Sequence, residues 1–183
     1  NYDCYIFGRK LGEGGFGNVF LAHAVDNQEL QYAIKMMKRM DRHHQNLAMK
    51  EFSLVERLKH RHIVECMEAF VHDNAFYVVF EYANGGDLGQ LIKKQQKEKS
   101  VWDTLEILDM FIQIVSGVAF LHDHKIMHRD IKPANIVLHI LPESNETILK
   151  IADFGLAREK DTSKRSAMTR AGTELYMSPQ MLN

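Results

Sequence analysis

The sequence predicts an α+β fold in two unequal lobes: a small antiparallel β lobe with one helix, then a larger, mainly helical lobe that the chain leaves incomplete. Three observations predict it. The first third runs in short segments rich in aromatic and β-branched residues, divided by glycine or polar turns. The turn Asn84-Gly85-Gly86-Asp87 then breaks the pattern and marks a lobe boundary. Beyond it the hydrophobic period becomes helical, with one long stretch apolar on nearly every side.

The elements follow in order. Tyr5 to Leu11, Asn18 to Ala24 and Gln31 to Met37 read as strands, and Asn46 to Lys59 as a helix. On that helix Leu47, Glu51, Val55 and Leu58 recur at i, i+4, i+8 and i+11, so they share one face. Strands are expected at Cys66 to Val71 and Phe76 to Glu81. This assigns residues 1–83 to the smaller lobe and 84–183 to a partial larger one.

Leu88 to Gln96 reads as a short helix and Thr104 to His122 as a long one. The long helix carries Leu108, Phe111, Ile112, Val115, Val118 and Leu121, with Ile107, Met110, Ile114 and Phe120 on its other sides. Such a helix is expected to be buried. Few elements follow to bury it, so the chain is expected to be a fragment of a longer one. Short strands are expected at Ile136 to Leu138 and Leu149 to Ile151, around a polar loop from Pro142 to Thr147. Arg158 to Arg170, charged and rich in Ser and Thr, is expected to be a mobile loop.

Composition narrows the function classes. Lys plus Arg number 23 against 24 Asp plus Glu, which gives no basic field for nucleic acid or an anionic membrane. Two cysteines, Cys4 and Cys66, make a poor disulfide framework and fit a reducing compartment, cytoplasmic or nuclear. No uninterrupted apolar run approaches the ~18 residues of a spanning helix, and the start is no signal peptide. His43-His44, His60-x-His62 and His122-x-His124 lack cysteine partners and a tetrahedral ligand set, and read as structural or surface histidines.

The chemistry lies in four motifs. Gly12-Glu13-Gly14-Gly15-Phe16-Gly17-Asn18-Val19, after Leu11, has the G-x-G-x-x-G spacing that lets backbone approach phosphates. In a dinucleotide-binding fold it would open a helix. Here a strand follows Gly17, so a flap between two strands is expected and a nucleotide-binding oxidoreductase is excluded. In Tyr32-Ala33-Ile34-Lys35, Ala33 and Lys35 point to one face of a strand. Glu51 sits in the apolar stripe of the next helix, where an unpaired carboxylate is costly, so it wants a cation and Lys35 is the candidate.

The strongest signal is His128-Arg129-Asp130-Ile131-Lys132-Pro133-Ala134-Asn135 followed, 18 residues after Asn135, by Asp153-Phe154-Gly155. Phosphoryl transfer needs charge neutralisation and in-line positioning more than covalent help. Asp153 and Asn135 offer the oxygen ligands that Mg²⁺ prefers. Asp130 can accept the proton of an incoming hydroxyl, and Lys132 can steady the transferred phosphoryl group.

On these motifs, from about Tyr5 to its end, the chain resembles the eukaryotic protein kinase family. The resemblance implies ATP and Mg²⁺ as cofactors and a protein with a Ser or Thr acceptor as substrate. It implies a hinge from Glu81 to Ala83 that hydrogen-bonds adenine, Phe80 as gatekeeper, and Asp87 near the ribose. Val19, Ala33 and Val137 would sandwich the base, and Val55, Phe154 and His128 would stack into a spine. Lys132 and Gly172-Thr173-x-x-Tyr176-Met177-Ser178-Pro179 resemble the serine/threonine branch. Leu58 to Val64 and Tyr-Met-Ser-Pro look most like the NIMA-related kinases.

Arg129, directly before Asp130, goes in that family with control by activation-loop phosphorylation, by an upstream kinase or by autophosphorylation. Thr169 is the expected phosphosite, and Thr173 the residue whose hydroxyl supports Asp130. The chain departs from the family at Gln180, where a glutamate pairs with a later arginine. An active Ser/Thr kinase represented by a partial sequence is therefore one expectation. A nucleotide-binding or regulatory interaction form with little turnover is the other. The sequence leaves the oligomeric state open.

Overall fold

The structure, a computed structural model, describes residues 1–14, 17–37, 41–153, 158–159 and 174–176; in the first helix the side chains at 44, 47, 50, 51 and 54 lie outside that description. Two compact units emerge, Asn1–Lys59 with Val64–Ala83, and His60–Ile63 with Asn84–Asn183.

The first unit is built on strands β1 (Tyr5–Gly14), β2 (Gly17–Ala24), β3 (Gln31–Met37), β4 (Cys66–His72) and β5 (Ala75–Glu81), with helix α1 (Arg42–Val55) between β3 and β4. The sheet order is β1-β2-β3-β5-β4 and every pairing is antiparallel. Strand alternation sorts the side chains. Ala22, Ile34, Tyr77 and Val79 form one core cluster, closed by Tyr2, Tyr5, Phe7, Tyr32 and Phe70. On the other face Cys66, Phe76 and Val78 pack with Ala48, Phe52 and Val55 of α1. The turn from β4 to β5 places Asp73 and Asn74 at φ 48° and 61°, a conformation these two residue types tolerate best after glycine.

Helix α1 begins four residues before the predicted start and ends at Val55. Leu58 therefore does not extend the helical stripe. Its N–H bonds to the Val55 carbonyl and its side chain is buried beyond the helix.

The second unit carries α2 (Leu88–Glu98), α3 (Thr104–Asp123) and short strands β6 (Ile126–Met127), β7 (Ile136–Ile140), β8 (Thr147–Ile151) and β9 (Arg158–Glu159). Asp87 caps α2 by accepting from the Gln90 N–H, and Lys99 at φ 51° ends it. Asp103 and Glu106 form a capping box on α3. β7 pairs antiparallel with β8, and β6 with β9. Arg158–Glu159, expected within a mobile loop, is thus strand. The rest of that loop, 160–170, lies outside the described residues; beyond it a 3-10 turn is described at Glu174–Tyr176.

Helix α3 corrects two expectations. Gly117 and Leu121 are its buried residues, whereas Leu105, Phe111 and Ile112 are 72%, 61% and 63% exposed. Its covered side faces β8 and β6, and the other apolar sides stay open. It is also long and apolar enough to cross a membrane, with a mean hydropathy of 1.7. Glu106 and Asp109 interrupt the apolar run, so a count of consecutive residues misses what an average registers. Within the unit, Gln113 serves β8 by accepting from the Leu149 N–H at 2.8 Å.

Segment 60–63 joins this unit by laying Ile63 beside Ile151. The His62 Nδ1–H donates to the Leu149 carbonyl at 2.9 Å, and the His62 carbonyl accepts from Ile151 N–H at 3.0 Å. The His60 ring stacks on Phe120 with centroids 4.7 Å apart. Gly117 makes the contact possible, since a Cβ there would stand 2.7 Å from the His62 carbonyl oxygen.

Candidate active site

Most of the predicted nucleotide-binding residues belong to the first unit, chiefly to its sheet, whereas Asp87 and Val137 belong to the second. β1 runs through Leu11, Gly12 and Glu13 to Gly14, which stands opposite Gly17 where β2 begins. The glycine motif therefore joins two strands of one hairpin. Its tip, Gly15 and Phe16, lies outside the described residues. Glu13 pairs with Lys10, three residues earlier on β1, and faces Asn18.

The glycines of this motif differ in kind. Gly17 has φ 141°, and a Cβ on it would sit 2.1 Å from the Met36 carbonyl oxygen of β3. Only glycine fits there. Among the described residues nothing comes within 4 Å of a Cβ on Gly12, so their packing does not require that glycine.

Val19 stands opposite Lys35, Leu21 opposite Ala33, and Ala33 opposite Phe80. Directly paired residues share a face, so Val19, Ala33, Lys35 and Phe80 line the same side of the sheet, the side on which α1 packs. Glu51 belongs to α1. Its side chain is not among those described, so its predicted pairing with Lys35 lies outside the described residues. Glu81 is held from two directions, its N–H donating to the Glu65 carbonyl at 3.0 Å and its Oε1 accepting from Glu65 N–H at 2.7 Å. Ala83 is half-buried at the end of this unit.

The predicted phosphoryl-transfer residues converge in the second unit. Asp130 Oδ2 accepts from Lys132 Nζ at 2.8 Å and from Asn135 Nδ2 at 3.0 Å. Asn135 Nδ2 also donates to the Asp130 backbone carbonyl at 2.8 Å. Asn135 is buried, Asp130 is 12% exposed and Lys132 24%. The carboxylate thus sits in a shielded corner beside a cation, where charge-assisted bonds are strong.

Ala152 fastens this loop to β8. Its N–H donates to the Asn135 carbonyl at 2.8 Å, and its carbonyl accepts from His128 Nε2–H at 2.9 Å. The other His128 nitrogen, Nδ1, accepts from Asp130 N–H at 3.3 Å. A neutral imidazole satisfies both contacts. Burial pushes the His128 pKa below its ordinary value, against the opposing pull of the Ala152 carbonyl, Asp153 and Asp130.

Asp153 is exposed, directly after Ala152, at φ 63°. Arg129, half-buried, has φ 68°. Such left-handed backbone at non-glycine residues costs on the order of 1–3 kcal/mol and clusters at functional sites. Phe154, Thr169, Thr173 and Gln180 lie outside the described residues.

Val137 follows on β7, and Asp87 bridges to it directly. The two residues assigned to ribose and base are therefore neighbours.

Sequence reasoning missed several supports. Ala152 carries no polar side chain that could have signalled its role. Asn84 read only as part of a glycine turn. Gly117 did have a signal, because a glycine inside a helix costs about 1 kcal/mol relative to alanine and usually has a packing reason.

Comparison with known proteins bears on the whole chain. The protein kinase domain family matches residues 5–183. Serine/threonine-protein kinase Nek5 of Homo sapiens is 35% identical over 98% of this chain and 25% of its own length. Serine/threonine-protein kinase Nek1 of Mus musculus is 33% identical over 97% of the chain and 14% of its own length. Serine/threonine-protein kinase ksp1 of Schizosaccharomyces pombe is 34% identical over 96% and 37%. The chain spans from 14% to 37% of these relatives. The names of the two Nek relatives match the likeness to NIMA-related kinases carried by Leu58 to Val64 and Tyr-Met-Ser-Pro. With its glycine hairpin, its Asp130–Lys132–Asn135 corner and that match over residues 5–183, the chain belongs to the protein kinase family.

Proposed function

We propose that the chain transfers the γ-phosphoryl group of ATP to Ser or Thr hydroxyls of protein substrates. The observation that carries this reading is the Asp130 carboxylate, held by Lys132 and Asn135 in a loop fastened to the segment that bears Asp153.

Asp130 accepts the proton of the attacking hydroxyl. Lys132, already at its carboxylate, supplies positive charge to the phosphoryl group in flight. We assign Lys35 to the phosphate oxygens, beside the glycine motif that begins at Gly12. We assign Glu81 to Ala83, Val19 and Ala33 of the first unit to adenine, and, within the second unit, Val137 to the base and Asp87 to the ribose.

The donor set fits Mg²⁺. Asn135 directs its amide nitrogen at Asp130, which leaves its oxygen as the atom to offer a hard cation, and Asp153 adds an exposed carboxylate. Mg²⁺ would neutralise phosphate charge there.

Phosphorylation of Thr169 would bring about −1.5 to −2 charges for Arg129 to engage, with Thr173 supporting Asp130. We place the protein in the cytoplasm or nucleus, since Cys4 and Cys66 are both free thiols.

A second reading, a nucleotide-binding or regulatory form of low turnover, is favoured by the open apolar sides of α3. One experiment separates the two. Mg-ATP-dependent phosphorylation of a basic protein substrate is expected to fall about 10²–10⁴-fold in Asp130→Asn, the range for loss of a positioned acid–base group, with nucleotide binding retained. The same assay is expected to drop when Thr169→Ala is made in phosphorylated material. Turnover that survives Asp130→Asn refutes the assignment, and nucleotide binding without turnover in the unmodified chain favours the second reading.

A further inference from the structure

The segment between the two units' boundary and α2 pairs antiparallel with β7 through a bulge, in which Gly85 and Gly86 both oppose Leu138. The Gly85 N–H donates to the Leu138 carbonyl at 2.8 Å, and the Leu138 N–H donates to the Gly86 carbonyl at 2.9 Å. Asp87 and Val137 form the next rung. At the other end the rung is made by a side chain. Asn84 Oδ1 accepts from the Ile140 N–H at 2.7 Å and Asn84 Nδ2 donates to the Ile140 carbonyl at 3.0 Å. The amide thus copies the two-bond pairing of a strand residue.

Two of the four residues in this ladder are glycines, and glycine-rich pairings specify register weakly. Close packing supports them, since a Cβ on Gly85 would lie 2.8 Å from the Leu138 side chain and from its carbonyl oxygen. That contact blocks a larger residue but does not choose a rung. Asn84 does, because its donor and acceptor fit one backbone N–H and C=O pair at a time. A slip by one residue would turn Val137 to the opposite face and part it from Asp87.

We infer that Asn84 is a positioning residue for nucleotide, a register clamp on β7 that keeps Asp87 and Val137 abreast. The inference rests on the kinase reading of the site. The clamp touches neither nucleotide nor acceptor, so it acts on binding and leaves the transfer step alone.

The test compares Asn84→Ala, Asn84→Asp and the unmodified chain by amide hydrogen exchange at Ile140 and by KM and kcat for Mg-ATP. In Asn84→Ala, Ile140 exchange is expected to accelerate roughly three- to tenfold. KM for ATP should rise about two- to fivefold with kcat within about twofold, as for loss of one ordinary hydrogen bond. Asn84→Asp keeps the acceptor for Ile140 N–H and loses the donor, so it should recover part of both effects. Unchanged Ile140 exchange in Asn84→Ala overturns the clamp. Faster exchange with an unchanged KM overturns its link to nucleotide, and so does an equal fall in kcat and kcat/KM. If the unmodified chain binds no ATP, the reading of the site fails together with the nucleotide role. The exchange arm still decides whether Asn84 fixes the register.

Discussion

Replacing Gly17 with alanine tests whether the two outer glycines of the motif have different physical reasons. The new Cβ would stand 2.1 Å from the Met36 carbonyl oxygen and 3.1 Å from the Met37 Cα. Met36 cannot easily withdraw, because it pairs with Asn18 on one side and Tyr77 on the other. Forcing a Cβ into packed backbone costs about 1–3 kcal/mol. Placing alanine at φ 141° adds about 1–3 kcal/mol. The stiffer unfolded chain returns about 0.4–1 kcal/mol. The net loss is about 1–6 kcal/mol, which at a urea slope of about 2 kcal/mol/M lowers the midpoint by roughly 0.5–3 M.

Gly12→Ala is the matched control, with no neighbour among the described residues within 4 Å of the added carbon. Its stability should stay within about 0.5 kcal/mol of the unmodified chain, yet its affinity for Mg-ATP should weaken several-fold, because the added methyl occupies space that phosphates approach. Urea titration by far-UV circular dichroism and binding of a fluorescent ATP analogue measure the two effects. A Gly17→Ala chain as stable as the parent, or a Gly12→Ala chain equally destabilised, refutes the division.

Two further outcomes follow from titrating groups. His128 is buried neutral and its pKa lies below the ordinary value. The unfolded chain therefore takes up a proton near pH ~6.5 that the folded chain refuses, and stability falls as pH drops from there towards the lowered folded pKa. Urea titrations between pH 7 and 5 should show His128→Asn with a shallower decline, by up to about 1.4 kcal/mol per pH unit; equal slopes would count against a neutral buried His128. Burial, with Glu56 nearby, pushes the Cys66 thiol up to about 12. A thiol reagent at pH 8 should label exposed Cys4 promptly and Cys66 only on unfolding, so prompt labelling of both would refute this.

What could be read in the sequence was local. The strand after Gly17 was legible because Val19-Phe20-Leu21-Ala22 offers a strand pattern where a dinucleotide fold would need a helix, and β2 is that strand. The start of α1 was not, because Arg42-His43-His44 opens the helix without an apolar stripe to betray it. Its end was misread for the opposite reason. Leu58 continues the 3.6-residue period and is buried, but it reaches the core from beyond the helix. Period reports which side chains seek the interior, and several backbone routes can deliver them.

Helix α3 shows a second limit. Its composition shows that most of its sides are apolar, but not how many neighbours stand against them, and Phe111 and Ile112 remain open. Pairings between distant residues were also hidden. Ile126–Met127 with Arg158–Glu159, and Ile63 with Ile151, depend on chain paths that no window of sequence contains.

The phosphoryl-transfer residues were legible as a motif, but the reason they cohere was not. Asp130, Lys132 and Asn135 are close in sequence, and a loop of that length could hold them in many arrangements. What selects one is Ala152, whose two backbone groups bond Asn135 and His128. The two bonds made by His128 together require it to be neutral, since Nε2 must donate to the Ala152 carbonyl while Nδ1 accepts from Asp130 N–H. Burial supplies that neutrality. The left-handed backbone at Arg129 and Asp153 lies immediately beside these bonds. Strain of about 1–3 kcal/mol at each persists only where surrounding contacts over-determine it. The same three backbone and ring contacts that order the carboxylate and the amide flank this strain, so loosening Ala152 would release Asp153 and Asp130 together.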